Sequence, residues 1–171
     1  MLLFAIRFLS SRRSDFARSL HAIGVLLIIF QQLVENLVVI VKELHAKDAK
    51  TRITAAEELG HIGQVKKSLT EPAVPALIDA LHDSDAGVRK AAANSLGKVD
   101  PDVKLAVPPL TDALKDKASP VRQAAAGALG LIGPDAKEAI PALRDAQKDS
   151  DRPVSRAANM AIQRIMGRGK K

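Results

Sequence analysis

The sequence predicts an all-α fold, a right-handed α-solenoid of stacked antiparallel helix pairs, and three observations predict it. First, the chain repeats itself. LHDSDAGVRKAAANSLGKV from Leu81, LKDKASPVRQAAAGALGLI from Leu114 and QKDSDRPVSRAANMAIQRI from Gln147 align at offsets of 33 residues, and LHAKDAKTRITAAEELGHI from Leu44 aligns at 37. Second, another half-unit recurs in step as AVPAL (73–77), AVPPL (106–110) and AIPAL (139–143). Third, apolar residues within each copy fall at helical spacing, and no stretch alternates with period two. A repeat of this length is one supersecondary unit that cannot bury both of its apolar faces alone, so the units must stack.

The elements follow in order. Residues 1–32 lie outside the repeat and form an apolar, basic N-terminal segment. Residues 33–44 (LVENLVVIVKEL) align with a second-helix position and are expected to begin the stack, which runs over 33–166. First helices start at Asp48, Asp85, Ser119 and Asp151, whose side chains suit the exposed amides of a helix start. Val88, Ala91, Ala92 and Leu96 illustrate their apolar spacing. Gly60, Gly97 and Gly130 read as left-handed stops. Second helices open around Pro75, Pro108 and Pro141, because proline is accepted in a first turn. They are expected to bury Leu77 and Leu81, Leu110 and Leu114, and Ile140 and Leu143. The four extra residues of the first copy fall between Gly60 and Ala80 as a loop insertion. A last helix over roughly 153–166 closes the stack, and a basic tail, 167–171, follows.

Composition removes several classes of function. Of 171 residues, 47% are hydrophobic and 26% charged, which suits a folded body rather than a disordered chain. Without Cys there are no disulfides, thiolate metal sites or thiol nucleophiles. The four Phe all lie within residues 1–30, so the repeats offer no ring on which a base could stack. The net charge of +7 is confined to the ends. Arg7, Arg12, Arg13 and Arg18 against Asp15 give +3, while Arg164, Arg168, Lys170 and Lys171 give +4, so residues 31–163 net zero. A neutral, ring-free body does not predict a nucleic-acid partner.

The N-terminal segment admits several roles. Ile23–Val41 approaches membrane-spanning length, but Gln31, Gln32, Glu35 and Asn36 interrupt it. One charge near a helix centre costs ~2.5–3.5 kcal/mol, whereas each apolar residue returns only ~0.3–0.6. Those four residues share one helical face, as in a solenoid helix with an exposed side. A secretory signal fits Arg12, Arg13 and Arg18 followed by Ala22–Phe30, although no small-x-small cleavage pattern follows. An organellar presequence fits residues 1–20, with Asp15 against it, and a lead-in helix fits as well. Compartment therefore stays open between cytoplasmic and exported or membrane-associated, with membrane contact through residues 1–41 as one outcome.

The pattern D-x-x-V-R-x-A-A-x-x-L-G followed by A-V-P-x-L resembles HEAT repeats, specifically the short type of the phycobilisome lyases. The resemblance spans residues 33–166. It implies an armadillo-like helical array and, most often in such families, a protein-binding scaffold. Phycobilin-lyase subunits, glycosylases and hydroxylases share the repeat. The hydroxylases hold iron through His-Glu pairs, and no His here is followed by Glu. The fourth copy departs from the pattern: Ser155 replaces the arginine, Arg156 follows it, and Gln163 stands where Gly97 and Gly130 stood. A terminal repeat is expected to differ in this way.

His45 and His82 recur at equivalent places, but stacking sets them ~8–10 Å apart, too far to share an ion with ~2 Å ligand bonds. No metal and no cofactor is expected. Arg52, Arg89 and Arg122 recur, as do Asp48, Asp85 and Asp151. Within a unit the Asp precedes the Arg by four, which predicts a structural ladder across one helical turn. Asp79, Asp112 and Asp145 also recur, each followed by alanine (Ala80, Ala113, Ala146), on the side of the second helix opposite Leu77, Leu110 and Leu143. That acidic row on the concave face is the candidate docking site for a basic or amphipathic helix of a protein partner. Pairing with neighbouring Lys or Arg is its bland alternative. Asp83 and Asp85 read as turn-capping residues. Nothing resembles a phosphate loop or a nucleophile with its base. The sequence therefore predicts a non-enzymatic interaction scaffold, with a phycobilin-lyase-like subunit and a membrane-tethered adaptor as alternatives.

Overall fold

The computed structural model describes residues 27–28, 31–65, 70–99 and 103–167. Most of the N-terminal segment, the centre of the loop insertion and residues 168–171 lie outside them. The chain divides into two compact units between Val39 and Ile40. Helix α1 (31–43) crosses that boundary. Its polar side is tied turn to turn, with Gln31 Nε2 donating to Glu35 Oε1 at 3.0 Å and Gln32 Nε2 to Asn36 Oδ1 at 3.3 Å. Its apolar residues Leu33, Val34, Val38 and Val39 are exposed as well, whereas Leu37, Ile40 and Val41, at helical spacing on one side, are half-buried. Full burial begins only at Leu44, in the turn that follows. Among the described residues no helix is long and apolar enough to cross a membrane.

The second unit is the repeat array, and no strand occurs among its described residues. First helices are α2 (Ala49–Val65), α4 (Ala86–Leu96), α6 (Ser119–Ile132) and α8 (Arg152–Ile165). Second helices are α3 (Val74–Ala80), α5 (Val103–Ala113) and α7 (Ile140–Ala146), with 3-10 turns over Glu71–Ala73 and Gly133–Ala139. Each first helix packs on the next, α2 on α4, α4 on α6 and α6 on α8. The second helices flank this stack, α3 against α4, α5 against α6 and α7 against α8. Val88, Val121 and Val154, together with Leu77, Leu110 and Leu143, are fully buried at repeat-equivalent positions. The last copy loosens: Ile162 and Ile140 are only half-buried, and Ile165 fills the core instead.

Two expectations about helix ends are corrected. Pro75 and Pro141 do open α3 and α7, but α5 starts at Val103 and carries Pro108 and Pro109 inside. The glycines do not stop helices by left-handed turns. Gly60 lies inside α2 and Gly130 inside α6, and Gly97 follows α4 with φ −69°. Positive φ occurs at Gly133 and Gly167 instead. The physical reason is the approach of the next first helix. A Cβ on Gly60 would lie 2.6 Å from Ser95 Oγ, one on Gly97 2.7 Å from Ala128 Cα, and one on Gly130 2.9 Å from Ala161 Cα. Missing side chains, rather than special backbone angles, are what those positions require. At the first crossing the contact is polar, because the buried Ser95 hydroxyl donates to Ala56 O at 2.6 Å.

Gly127, by contrast, is an interior residue of α6 whose Cβ would meet nothing within 4 Å. Two alanine substitutions three residues apart should therefore have opposite signs. Gly130→Ala should destabilise by ~1–3 kcal/mol through overpacking, while Gly127→Ala should stabilise by ~0.4–1 kcal/mol through helix propensity. Denaturant melts of the two variants decide it, and equal shifts would contradict the stacking geometry. Leu96→Ala and Leu129→Ala remove fully buried side chains. Each should cost ~2–5 kcal/mol in the same melts.

Candidate functional site

Along one edge of the array run the turns that lead from each second helix into the next first helix. Each recurring arginine joins two of these turns. Arg89 donates through Nε to Asp116 Oδ2 at 2.7 Å and through Nη2 to Asp116 Oδ1 at 2.9 Å, in the turn ahead. Its Nη1 donates backwards to the carbonyls of Asp83 and Ser84, at 2.9 and 3.0 Å. Arg52 does the same between Asp83 and the carbonyls of Ala46 and Lys47. Arg122 repeats it between Asp149 and the carbonyls of Asp116 and Lys117. Each aspartate also accepts from the amide two residues on, at Asp85, Ala118 and Asp151. The bidentate geometry uses the guanidinium fork in full.

The three rungs therefore link successive repeats, and the carboxylates four residues before Arg52 and Arg89, Asp48 and Asp85, are not their partners. Asp85 caps α4 by accepting from Gly87 N at 2.8 Å and Val88 N at 3.2 Å. Asp48 accepts from Thr51 N at 2.8 Å. Asp151 makes no side-chain cap bond, and the residue before α6 is Ala118. A pair four apart on one helix stays in solvent, whereas a pair across the repeat interface is sheltered. Arg89 is the most enclosed, at 5% exposure. The hydrogen bonds from the arginines hold the carboxyls of Asp83, Asp116 and Asp149 below their ordinary range and raise the guanidiniums in turn. The positions equivalent to the missing partners are Ala46 before the first rung and Ser155 after the last.

The acidic row sits elsewhere, on α3, α5 and α7. Asp79, Asp112 and Asp145 are all exposed, and among the described residues no ion pair engages them. Their neighbours are not as the spacing suggested. Ala80, Ala113 and Ala146 are buried in the core, so they leave no space beside the carboxylates. What accompanies each aspartate on the exposed side is a proline one turn earlier: Pro75, Pro108 and Pro141. His45 and His82 are exposed. Among the described residues no group of three or more His, Asp or Glu side chains could hold a metal ion.

A family model for HEAT repeats matches residues 37–107 and again 74–163. The chain belongs to the HEAT-repeat family. Its solved structural likenesses are helical repeat arrays. An engineered protein matches over 76% of the chain and 62% of its own length, at 26% identity and TM-score 0.65. A designed armadillo repeat protein in complex with the peptide (KR)4 matches over 74% and 62%, at 19% identity and TM-score 0.62, a likeness of fold alone. The CpcE–CpcF complex of phycocyanin lyase from Nostoc sp. PCC7120 matches over 75% and 64%, at 25% identity and TM-score 0.52. This HEAT array thus spans less than two thirds of each of these structures. No curated protein matches it significantly.

The ladder makes a pH prediction. Because Asp116 has a folded-state pKa below its unfolded value, its contribution is present above the unfolded carboxylate pKa, ~3.9. It is lost as pH falls through the lower, folded-state value. Urea midpoints of the parent should therefore drop on acidification below about pH 4. Asp116→Asn should cost ~1–3 kcal/mol at neutral pH by leaving Arg89 without its counter-ion, and its acid drop should be shallower. Parallel acid curves for the two proteins would exclude the rung as the cause.

Proposed function

We propose that this HEAT array is a non-enzymatic scaffold that binds a basic or amphipathic segment of a partner protein along the concave, second-helix face. One observation carries the reading: Asp79, Asp112 and Asp145 present exposed carboxylates at the same place on three successive second helices. Residues 31–163 net zero with the row included, so the row is a local feature rather than part of a diffuse acidic field. Exposed ion pairs contribute only ~0.2–1 kcal/mol each. Three of them would select and orient a partner more than hold it. The holding must come from apolar contact, for which the exposed rings of Pro75, Pro108 and Pro141 are the rigid candidates. An amphipathic helix meets both demands. The (KR)4 complex of the designed armadillo protein is an instance of a basic peptide on an array of this fold, and it supports the chemistry without naming the natural partner.

The test is direct. Asp79→Lys, Asp112→Lys and Asp145→Lys together should weaken binding of a fluorescent (KR)4 peptide on the order of tenfold or more. The melting temperature should hardly move, because the three carboxylates are exposed. Reversing the exposed Glu57 and Glu58 of α2 should matter much less. Retained binding on a folded triple variant would place the partner elsewhere, and unfolding of that variant would make the row structural.

A further inference from the structure

The first helices carry a second, chemically opposite feature. Between α4, α6 and α8 lies a groove of about 370 Å³. Its floor is Gly127 with the alanines beside it, and its walls carry Lys90 on α4, Gln123 on α6 and Met160 and Arg164 on α8. Past Met160 it continues into a hollow of about 380 Å³ bordered by Arg152 and Arg156. Four cations line this run and no carboxylate does. Among the described residues none of the four is in an ion pair. Three of the four lie in residues 31–163, which net zero, so the run is a local excess.

Its origin is legible in the repeat register. Glu57, Asn94, Gly127 and Met160 are equivalent positions along the outer side of α2, α4, α6 and α8, as are Ile53, Lys90, Gln123 and Arg156. Down the stack the outer row passes from a carboxylate through an amide and a glycine to a methionine, while its neighbour gains cations at Lys90 and Arg156. Arg156 is the arginine shifted by one from the ladder position that Ser155 occupies. It has left the turns and joined the groove rim.

We propose that this groove is a docking site for an acidic peptide segment of a partner protein that carries an aliphatic side chain. Carboxylates of the segment pair with Lys90, Arg156 and Arg164, the two arginines offering bidentate geometry. The aliphatic side chain enters over Gly127, where no side chain intrudes, and lies against Met160, whose flexible thioether adapts to irregular apolar shapes. The glycine floor favours a peptide over a nucleic acid, since the groove offers no ring for a base to stack on. The site differs from the acidic row in helices, in charge and in ligand.

Fluorescence anisotropy of the full chain with a fluorescein-labelled glutamate-rich peptide bearing one leucine tests it. The parent should bind, and a lysine-rich counterpart should not compete. Arg156→Glu with Arg164→Glu should weaken binding on the order of tenfold or more. Gly127→Leu should weaken it comparably without changing any charge, and Met160→Glu, at a half-exposed site, is the second blocking variant should the leucine disturb α6. Reversing Asp79, Asp112 and Asp145 should leave this binding intact, which separates the groove from the acidic row. Unchanged affinity in the double reversal would overturn the proposal. So would full affinity in both blocking variants, because the attraction would then be diffuse. Displacement of the peptide by single-stranded RNA at lower concentration than by unlabelled peptide would also overturn it, making the occupant a polyphosphate.

Discussion

The array depends on how closely each first helix approaches the next. Gly60, Gly97 and Gly130 each face a small residue of the following helix, and at each place a single methyl group would collide with backbone or hydroxyl. Close backbone approach maximises dispersion contact over a core built largely of alanine. It also fixes the spacing between repeats, and with it the spacing of everything mounted on their edges.

The ladder is the first consequence. An arginine on one first helix can grip the carboxylate in the next turn only if the two repeats sit at one separation and one rotation. Three rungs with nearly the same distances, 2.7 Å from Nε to Oδ2 in each, reflect a stack that advances by nearly the same step each time. Because each rung is part-sheltered and its carboxylate accepts a backbone amide too, the turns are fixed as well as linked.

With stacking and turns specified by buried groups, the exposed faces are free to differ. On α3, α5 and α7 the free positions keep an aspartate, where α1 has Lys42. On the first helices the free positions change from one repeat to the next, passing from Glu57 through Gly127 to Met160. A regular row and a graded groove are two ways in which one scaffold presents two surfaces of opposite charge.

The sequence alone determined the helix pairs, the 33-residue register and the buried positions Val88, Leu96, Leu110 and Leu129, because periodicity and repeat register report burial directly. It also contained the rung partners: Asp83, Asp116 and Asp149 recur at 33 residues without a break, whereas the Asp85 series fails at Ala118. Local spacing favoured the pair four apart on one helix, and only the packing of one repeat against another decided in favour of the carboxylate in the next turn. The same limit applied to the glycines. A glycine near a helix end reads as a stop, and whether it is there for its backbone angles or for its missing side chain depends on what lies opposite. Ala80, Ala113 and Ala146 look like surface room beside an acid, yet they are buried. Sequence spacing fixes which residues share a helix face, but the neighbours that cover or expose that face come from repeats 33 residues away, and only the tertiary structure brings them together.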